Sequence, residues 1–242
     1  AIFAITPRLQ DDLIDKYDAN PALMHLIPNG IDPLPFEKAS YKERGREKIL
    51  QLGFLGRLEH NQKGVMHLPN LVKNLNALEV PFHLSIAGKG ADREKLEQAL
   101  EPWINTGQIS FLGALTREVV PDFLAKTDVY IFPSHFEGCP NSLLEAMMAG
   151  CVSMAWTIKG ITDYVLKEGE TGFLHAVGDC EYMAKNIKML NEDRLLLKKI
   201  SKQAAEDARL RFTPELTAGA YAKVLKEVMK QPILDISPLS WN

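Results

Sequence analysis

Short apolar runs alternate with stretches of helical periodicity along most of the chain. The runs AIFAI (1–5), LMHLI (23–27), ILQLGFL (49–55), FHLSIA (82–87), QISFL (108–112), VYIF (129–132) and VSMAW (152–156) predict strands. Helical spacing fills 7–17, 66–78, 92–104, 117–126 and 141–149. Strands alternating with helices predict right-handed βαβ units, hence an α/β fold with a mostly parallel sheet and helices on both faces. The near-continuous apolar character of the strands fits burial on both sides.

Two breaks in this rhythm divide the chain. Residues 28–48, PNGIDPLPFEKASYKERGREK, are rich in Pro, Gly and charge and predict a linker. From about residue 179 the pattern is helical to near Lys230, followed by a polar tail containing Pro. The expected layout is a strand–helix–strand piece over 1–27 lacking a sheet of its own, the linker, a main α/β unit over 49–211, and a helix with tail over 212–242.

Composition narrows the class. Apolar residues make up 46% and charged ones 24%, as in an ordinary globular core. The net charge of −3 comes with both signs interspersed, so no basic stripe points to nucleic acid and no Lys/Arg cluster to a membrane surface. No apolar run reaches the roughly 18 residues of a membrane span. The opening AIFAIT has neither Met nor a basic segment, so no signal peptide is expected in it and it reads as the middle of a longer chain. Cys139, Cys151 and Cys180 form no C-x-x-C pair and are odd in number, which argues for a reducing cytosol. The histidines lie far apart in sequence without an H-E-x-x-H, so no zinc site is expected.

In an open parallel sheet, ligands bind beyond the carboxyl ends of the strands. After the run at 49–55 comes GRLEHNQKG, with Arg57 and Lys63 in one loop ending at Gly64. A guanidinium fork and a mobile ammonium suit a diphosphate, although solvated loop cations read the same way. After 82–87 comes GKG, where Gly88 and Gly90 allow close backbone approach to a base or ribose. Position 93 is Arg where a dinucleotide fingerprint needs its third glycine, and a plain strand-to-helix turn explains the pair equally. No G-x-x-x-x-G-K-[ST] exists, which excludes a P-loop.

The stretch FEGCPNSLLEAMMAG (136–150) carries the sharpest signal. Pro140 suits the first turn of a helix, leaving the N–H groups of Asn141, Ser142 and Leu143 to face phosphate or sugar oxygens with the positive helix end. Glu137 lies just outside and offers acceptors to sugar hydroxyls. Glu145 sits about one turn in, among Leu143, Leu144, Ala146, Met147 and Met148. A carboxylate on a largely buried helix needs a partner, and a ribose diol is one. An exposed helix charge is the plainer alternative.

These pieces together resemble the retaining GT-B glycosyltransferases of family 4. The resemblance rests on E-x7-E at Glu137 and Glu145 after FPSHF, and on PNGID (28–32), GRL…KG around Arg57 and Lys63, IAGKG (86–90), FLG (111–113), EAMMAG (145–150) and GETGFL (169–174) in the family's order. It covers about 23–190. In such enzymes two Rossmann-like domains face a cleft, and the C-terminal one holds a nucleotide-sugar donor. The resemblance implies that this chain is that donor domain plus the end of the acceptor domain. It places Arg57 and Lys63 on the diphosphate, Glu145 on the ribose and Glu137 on the transferred sugar, these first two and Glu137 being the catalytic set. Gly56, Gly88, Gly90, Gly138, Asn141, Ser142 and Leu143 join the donor-binding set, and Leu112 and Leu115 flank the base. Trp156 departs from the small residues expected after that strand and puts its loop's contacts in doubt.

The reading implied is transfer of a hexose, with retention, from a UDP-sugar to a glycan or lipid-linked acceptor in glycan assembly. No cofactor is expected, and the lack of a D-x-D argues against a metal held by that motif. A cytoplasmic place at the inner membrane face, membrane-surface contact through the missing domain, and self-association through uncovered apolar faces are further expectations. Rival readings are another GT-B enzyme, such as a nucleotide-sugar epimerase or a phosphorylase, and a non-catalytic module that binds a nucleotide-sugar or a partner.

Overall fold

The computed structural model describes residues 1–37 and 49–230. The elements run β1 Ile2–Ala4, α1 Pro7–Tyr17, β2 Met24–Leu26, β3 Leu50–Leu55, α2 His60–Lys63, α3 Leu68–Ala77, β4 Phe82–Ala87, α4 Arg93–Asn105, β5 Ile109–Gly113 and α5 Val120–Ala125. They continue with β6 Val129–Phe132, α6 Asn141–Met148, β7 Val152–Trp156, α7 Thr162–Val165, β8 Gly172–His175, α8 Cys180–Glu192, α9 Arg194–Arg211 and α10 Pro214–Met229. A six-stranded, all-parallel sheet has the order β5-β4-β3-β6-β7-β8.

All seven expected strands form. An eighth, β8, was missed because GFLH is short and follows a glycine-rich turn, so it offers no run long enough to read. The short helices α2 and α7 escaped for the same reason of length. Contrary to expectation, the first 27 residues do own a sheet: β1 and β2 pair in parallel with each other. The greater part of the expected linker, residues 38–48, and the tail from 231 lie outside the described residues. Within 28–37, Phe36 is buried against the main unit.

Two hydrophobic layers flank the sheet because strand side chains alternate. Leu50, Leu52, Phe54, Val129, Ile131, Met154 and Trp156 face α3, α4, α8 and α9. Tyr130, Phe132 and Ala155 face the other way, onto α6 and Leu124 of α5. One face of α6 is buried, with Leu143, Ala146, Met147 and Met148 fully enclosed. Trp156 is 1% exposed, so its bulk fills the core. α10 leans on the first piece of the chain: Thr217 Oγ1 donates to Pro28 O at 2.9 Å, and the rings of Tyr221 and Phe3 lie 4.8 Å apart.

The chain winds outward from β3 through β4 to β5, then returns to lay β6 on the other side of β3. That reversal splits the loops after β3 and β6 apart and opens a crevice at their carboxyl ends, the place where such sheets bind ligands.

Candidate functional site

Both loops at the crevice are fixed by backbone geometry. Gly64 ends α2 with φ of 61°, and a Cβ there would fall 1.9 Å from Pro133 O. Glycine therefore lets the loop after β3 lie directly on the loop after β6. His135 N donates to Gln62 O at 2.8 Å and closes the same contact. The result brings Lys63 and Glu137 together: Lys63 Nζ is 2.6 Å from Glu137 Oε1, with side chains only 17% and 6% exposed.

A cleft of about 450 Å³ opens beside this pair. Gly56, Arg57, Lys63, Glu137, Asn141, Ser142 and Glu145 line it, together with Leu55, Cys139 and Pro140. Seven of the residues expected from sequence thus meet in one place. Arg57 reaches into solvent and pairs with Glu59 at 3.3 Å. Burial raises the Glu145 carboxyl above the usual carboxylate range, and the nearby Arg117 guanidinium pulls it partly back. Glu145 also borders a second cleft of about 380 Å³ with Arg117, Gly30, Ile31 and Phe36.

The helix start differs from expectation. Asn141 N donates to Cys139 O at 3.0 Å and Leu143 N to Pro140 O at 2.9 Å, so two of the three N–H groups are already engaged. Among the described residues only Ser142 N–H, of those three, has no partner. The tight Cys-Pro turn bends its own carbonyls back over the helix end and consumes the donors. The side chain of Leu143 is buried and belongs to the core.

Other expected residues fall elsewhere. A Cβ on Gly88 would lie 1.8 Å from Gly56 O, and one on Gly90 2.2 Å from Leu58 O. These glycines admit the loop after β3 against the turn after β4, which is backbone against backbone. Leu112 and Leu115 line a separate cavity of about 330 Å³ with Gln51, His83 and Ser85. Gly138 is exposed, and its carbonyl accepts from Thr6 Oγ1 at 3.4 Å. Asn141 Oδ1 accepts from Asn29 Nδ2 at 3.1 Å, so the first piece of the chain reaches the rim of the cleft.

Two neighbours went unread in the sequence. Tyr130 lies under the cleft and donates from its hydroxyl to Leu55 O at 2.9 Å; burial pushes the phenol well above its ordinary range. Within the strand run VYIF it looked like core, and only its hydroxyl hinted otherwise. Cys139 lines the cleft as a free thiol, raised by burial. The structure also gathers His60, His67 and His135, which sequence spacing kept apart.

Chemically, the cleft offers two cations, two carboxylates, one free N–H and a serine hydroxyl. That set suits an anion flanked by hydroxyl-bearing rings.

The family model described as "Glycosyl transferases group 1" matches residues 50–193. The 2-deoxystreptamine glucosyltransferase of Streptomyces kanamyceticus is 28% identical over 79% of this chain and 51% of its own length. The phosphatidyl-myo-inositol mannosyltransferase of Mycolicibacterium smegmatis is 32% identical over 70% of this chain and 43% of its own. The fold matches a crystal structure of a mutant S. aureus TarM in complex with fondaparinux, alpha-GlcNAc-glycerol and UDP. That match has a TM-score of 0.80 and 16% identity, covering 93% of this chain and 43% of the other. The chain spans about half the length of the curated relatives it matches. Among the described residues, no helix is long and apolar enough to cross a membrane.

Proposed function

Since this chain belongs to the group 1 glycosyl transferases, we propose that its switch-point cleft binds the donor nucleotide-sugar of a retaining hexosyl transfer. The observation that carries this reading is the convergence of Arg57, Lys63, Glu137, Ser142 and Glu145 on one cleft from the loops after β3 and β6. In this reading Arg57 and Lys63 hold the diphosphate and stabilise it as the leaving group, because charge develops there in the transition state. Ser142 N–H adds one neutral donor. Glu145 accepts the ribose hydroxyls, and Glu137 accepts from the sugar and keeps Lys63 in place. UDP is the favoured nucleotide, in keeping with the UDP bound to TarM. The acceptor, a glycan or lipid-linked sugar, belongs opposite this cleft, in the part of the relatives that this chain does not span. No protein nucleophile is assigned.

Calorimetric titration with UDP, ADP, GDP and uridine tests the donor assignment. UDP binding with a weaker response to uridine is expected. Binding of uridine as tight as UDP, or of none of them, removes the diphosphate site. Product analysis with a donor and the chain in its full-length context separates transfer from epimerisation and from binding alone.

A further inference from the structure

Three histidines from two loops meet behind the cleft. His60 starts α2, His67 ends the 3-10 turn that follows Gly64, and His135 precedes Glu137 by two residues. Their candidate ligand nitrogens all lie within 4.8 Å of one another, and each ring is half-buried. The rings are mutually edge-on, with centroids 5.3, 5.1 and 5.1 Å apart. None of the three lines the donor cleft.

We propose that His60, His67 and His135 form a site for a first-row transition metal ion, zinc above all. Imidazole nitrogens suit such ions, and three histidines plus one solvent ligand complete a tetrahedron. His67 Nε2 and His135 Nε2 are 2.9 Å apart, close to the ~3.3 Å edge expected for a tetrahedral zinc with bonds of about 2.0–2.1 Å.

The surroundings resemble a prepared site. His135 Nδ1–H donates to Asn61 O at 3.0 Å, which turns the Nε2 lone pair inward, as second-shell carbonyls do for metal-bound imidazoles. The Trp156 ring stands edge-on to His67 at 5.5 Å and walls the inner side. His60 Nδ1 accepts a long hydrogen bond of 3.3 Å from Met66 N. Metal binding at either nitrogen gives up this contact: Nδ1 either takes the ion or takes the proton displaced from Nε2. Hydrogen bonding among neutral rings is the competing explanation, and it needs no ion.

Such an ion would staple residues 60–67 to residue 135, on either side of the contact that positions Lys63 and Glu137. The test is to strip the protein with a chelator and titrate it with Zn²⁺ or Co²⁺ alone. One equivalent should bind, Co²⁺ should give the visible ligand-field absorption of a tetrahedral site, and Zn²⁺ should raise the melting temperature. His67→Asn and His135→Asn should each weaken Zn²⁺ binding by at least about 10-fold, whereas His83→Asn should not change it. Circular dichroism of each variant shows that it is folded, and His60→Gln replaces any that is not. Absence of saturable binding, or equal binding by the folded cluster variants, overturns the site. No nucleotide enters this experiment, so its failure leaves the donor reading standing.

Discussion

Lys63 and Glu137, 74 residues apart in the chain, form an ion pair of 2.6 Å on the wall of the cleft. The cation proposed to meet a diphosphate is therefore already paired with a neighbouring carboxylate. A like charge within about 8 Å of the phosphates, at an effective dielectric constant near 20, opposes binding by up to about 2 kcal/mol. Glu137→Gln should tighten UDP by roughly 5-fold while lowering any transfer measured in the full-length context. Weaker UDP binding in the folded variant would show that Glu137 helps the diphosphate rather than competing with it.

The same pair has a stability consequence. Lys63→Ala leaves a carboxylate that is nearly enclosed without its counter-charge, a change worth about 3–5 kcal/mol. Lys63→Ala/Glu137→Ala should recover much of that loss. Urea denaturation of the two singles and the double completes the cycle, and additive losses would mean the pair is not coupled.

Glu145 supplies a pH dependence. Its folded carboxyl is raised, so the native state takes up a proton before the unfolded chain does. Stability from this group is then greatest when it is protonated and falls as pH rises from the usual carboxylate range through the raised value. Glu145→Gln should remove that decline and be the more stable protein at neutral pH. In binding the sign reverses: in the proposed role an ionised Glu145 accepts from ribose, so UDP affinity should fall as acid protonates it. Glu145→Ala should cost about 1.5–3 kcal/mol of UDP affinity, roughly 10- to 150-fold. Calorimetry across pH, wild type beside Glu145→Gln, reads both effects; parallel pH profiles would exclude the ribose role.

Arg57 is the opposite case, exposed and, among the described residues, ion-paired only with Glu59. Arg57→Ala should leave stability within about 0.5 kcal/mol yet weaken UDP clearly and uridine little. Added salt should erode the UDP difference, because an exposed cation is screened. Equal weakening of uridine would assign Arg57 to the base.

Gly64→Ala places a Cβ against Pro133 O in a backbone conformation that costs an L-residue about 1–2 kcal/mol before any clash. A loss above about 2 kcal/mol in urea denaturation is expected, with UDP binding reduced through Lys63. A wild-type midpoint would mean that the two loops yield without cost.

Much of this was legible in sequence because the signals are local. Seven apolar runs gave seven strands, and the Pro-Asn-Ser turn before LLEAMM marked both α6 and the cleft. What stayed hidden depends on distance in space. Gly88 and Gly90 looked available to a ligand, but their neighbours are the carbonyls of Gly56 and Leu58 on another loop. The donors of Asn141 and Leu143 looked free, but the turn folds carbonyls over them. His60, His67 and His135 share no motif because two crossovers of the sheet separate the third from the others. β8 is four residues long and too short for any period to show.

The seam of the sheet between β3 and β6 predicts an order of assembly. β3 and β4 run in register from Leu50–Phe82 to Leu55–Ala87, whereas the ladder between β3 and β6 pairs Leu52–Val129 and Gly53–Tyr130. Each flank, β3 to β5 and β6 to β8, is a contiguous length of chain whose pairings close early, because short loops cost less entropy than long ones. Arg57 and Lys63 ride on one flank, Glu137, Ser142 and Glu145 on the other. The cleft takes its lining from both flanks, so under the proposed donor role the ability to hold a nucleotide reports their joining. During refolding, recovery of UDP binding should trail recovery of helical circular dichroism.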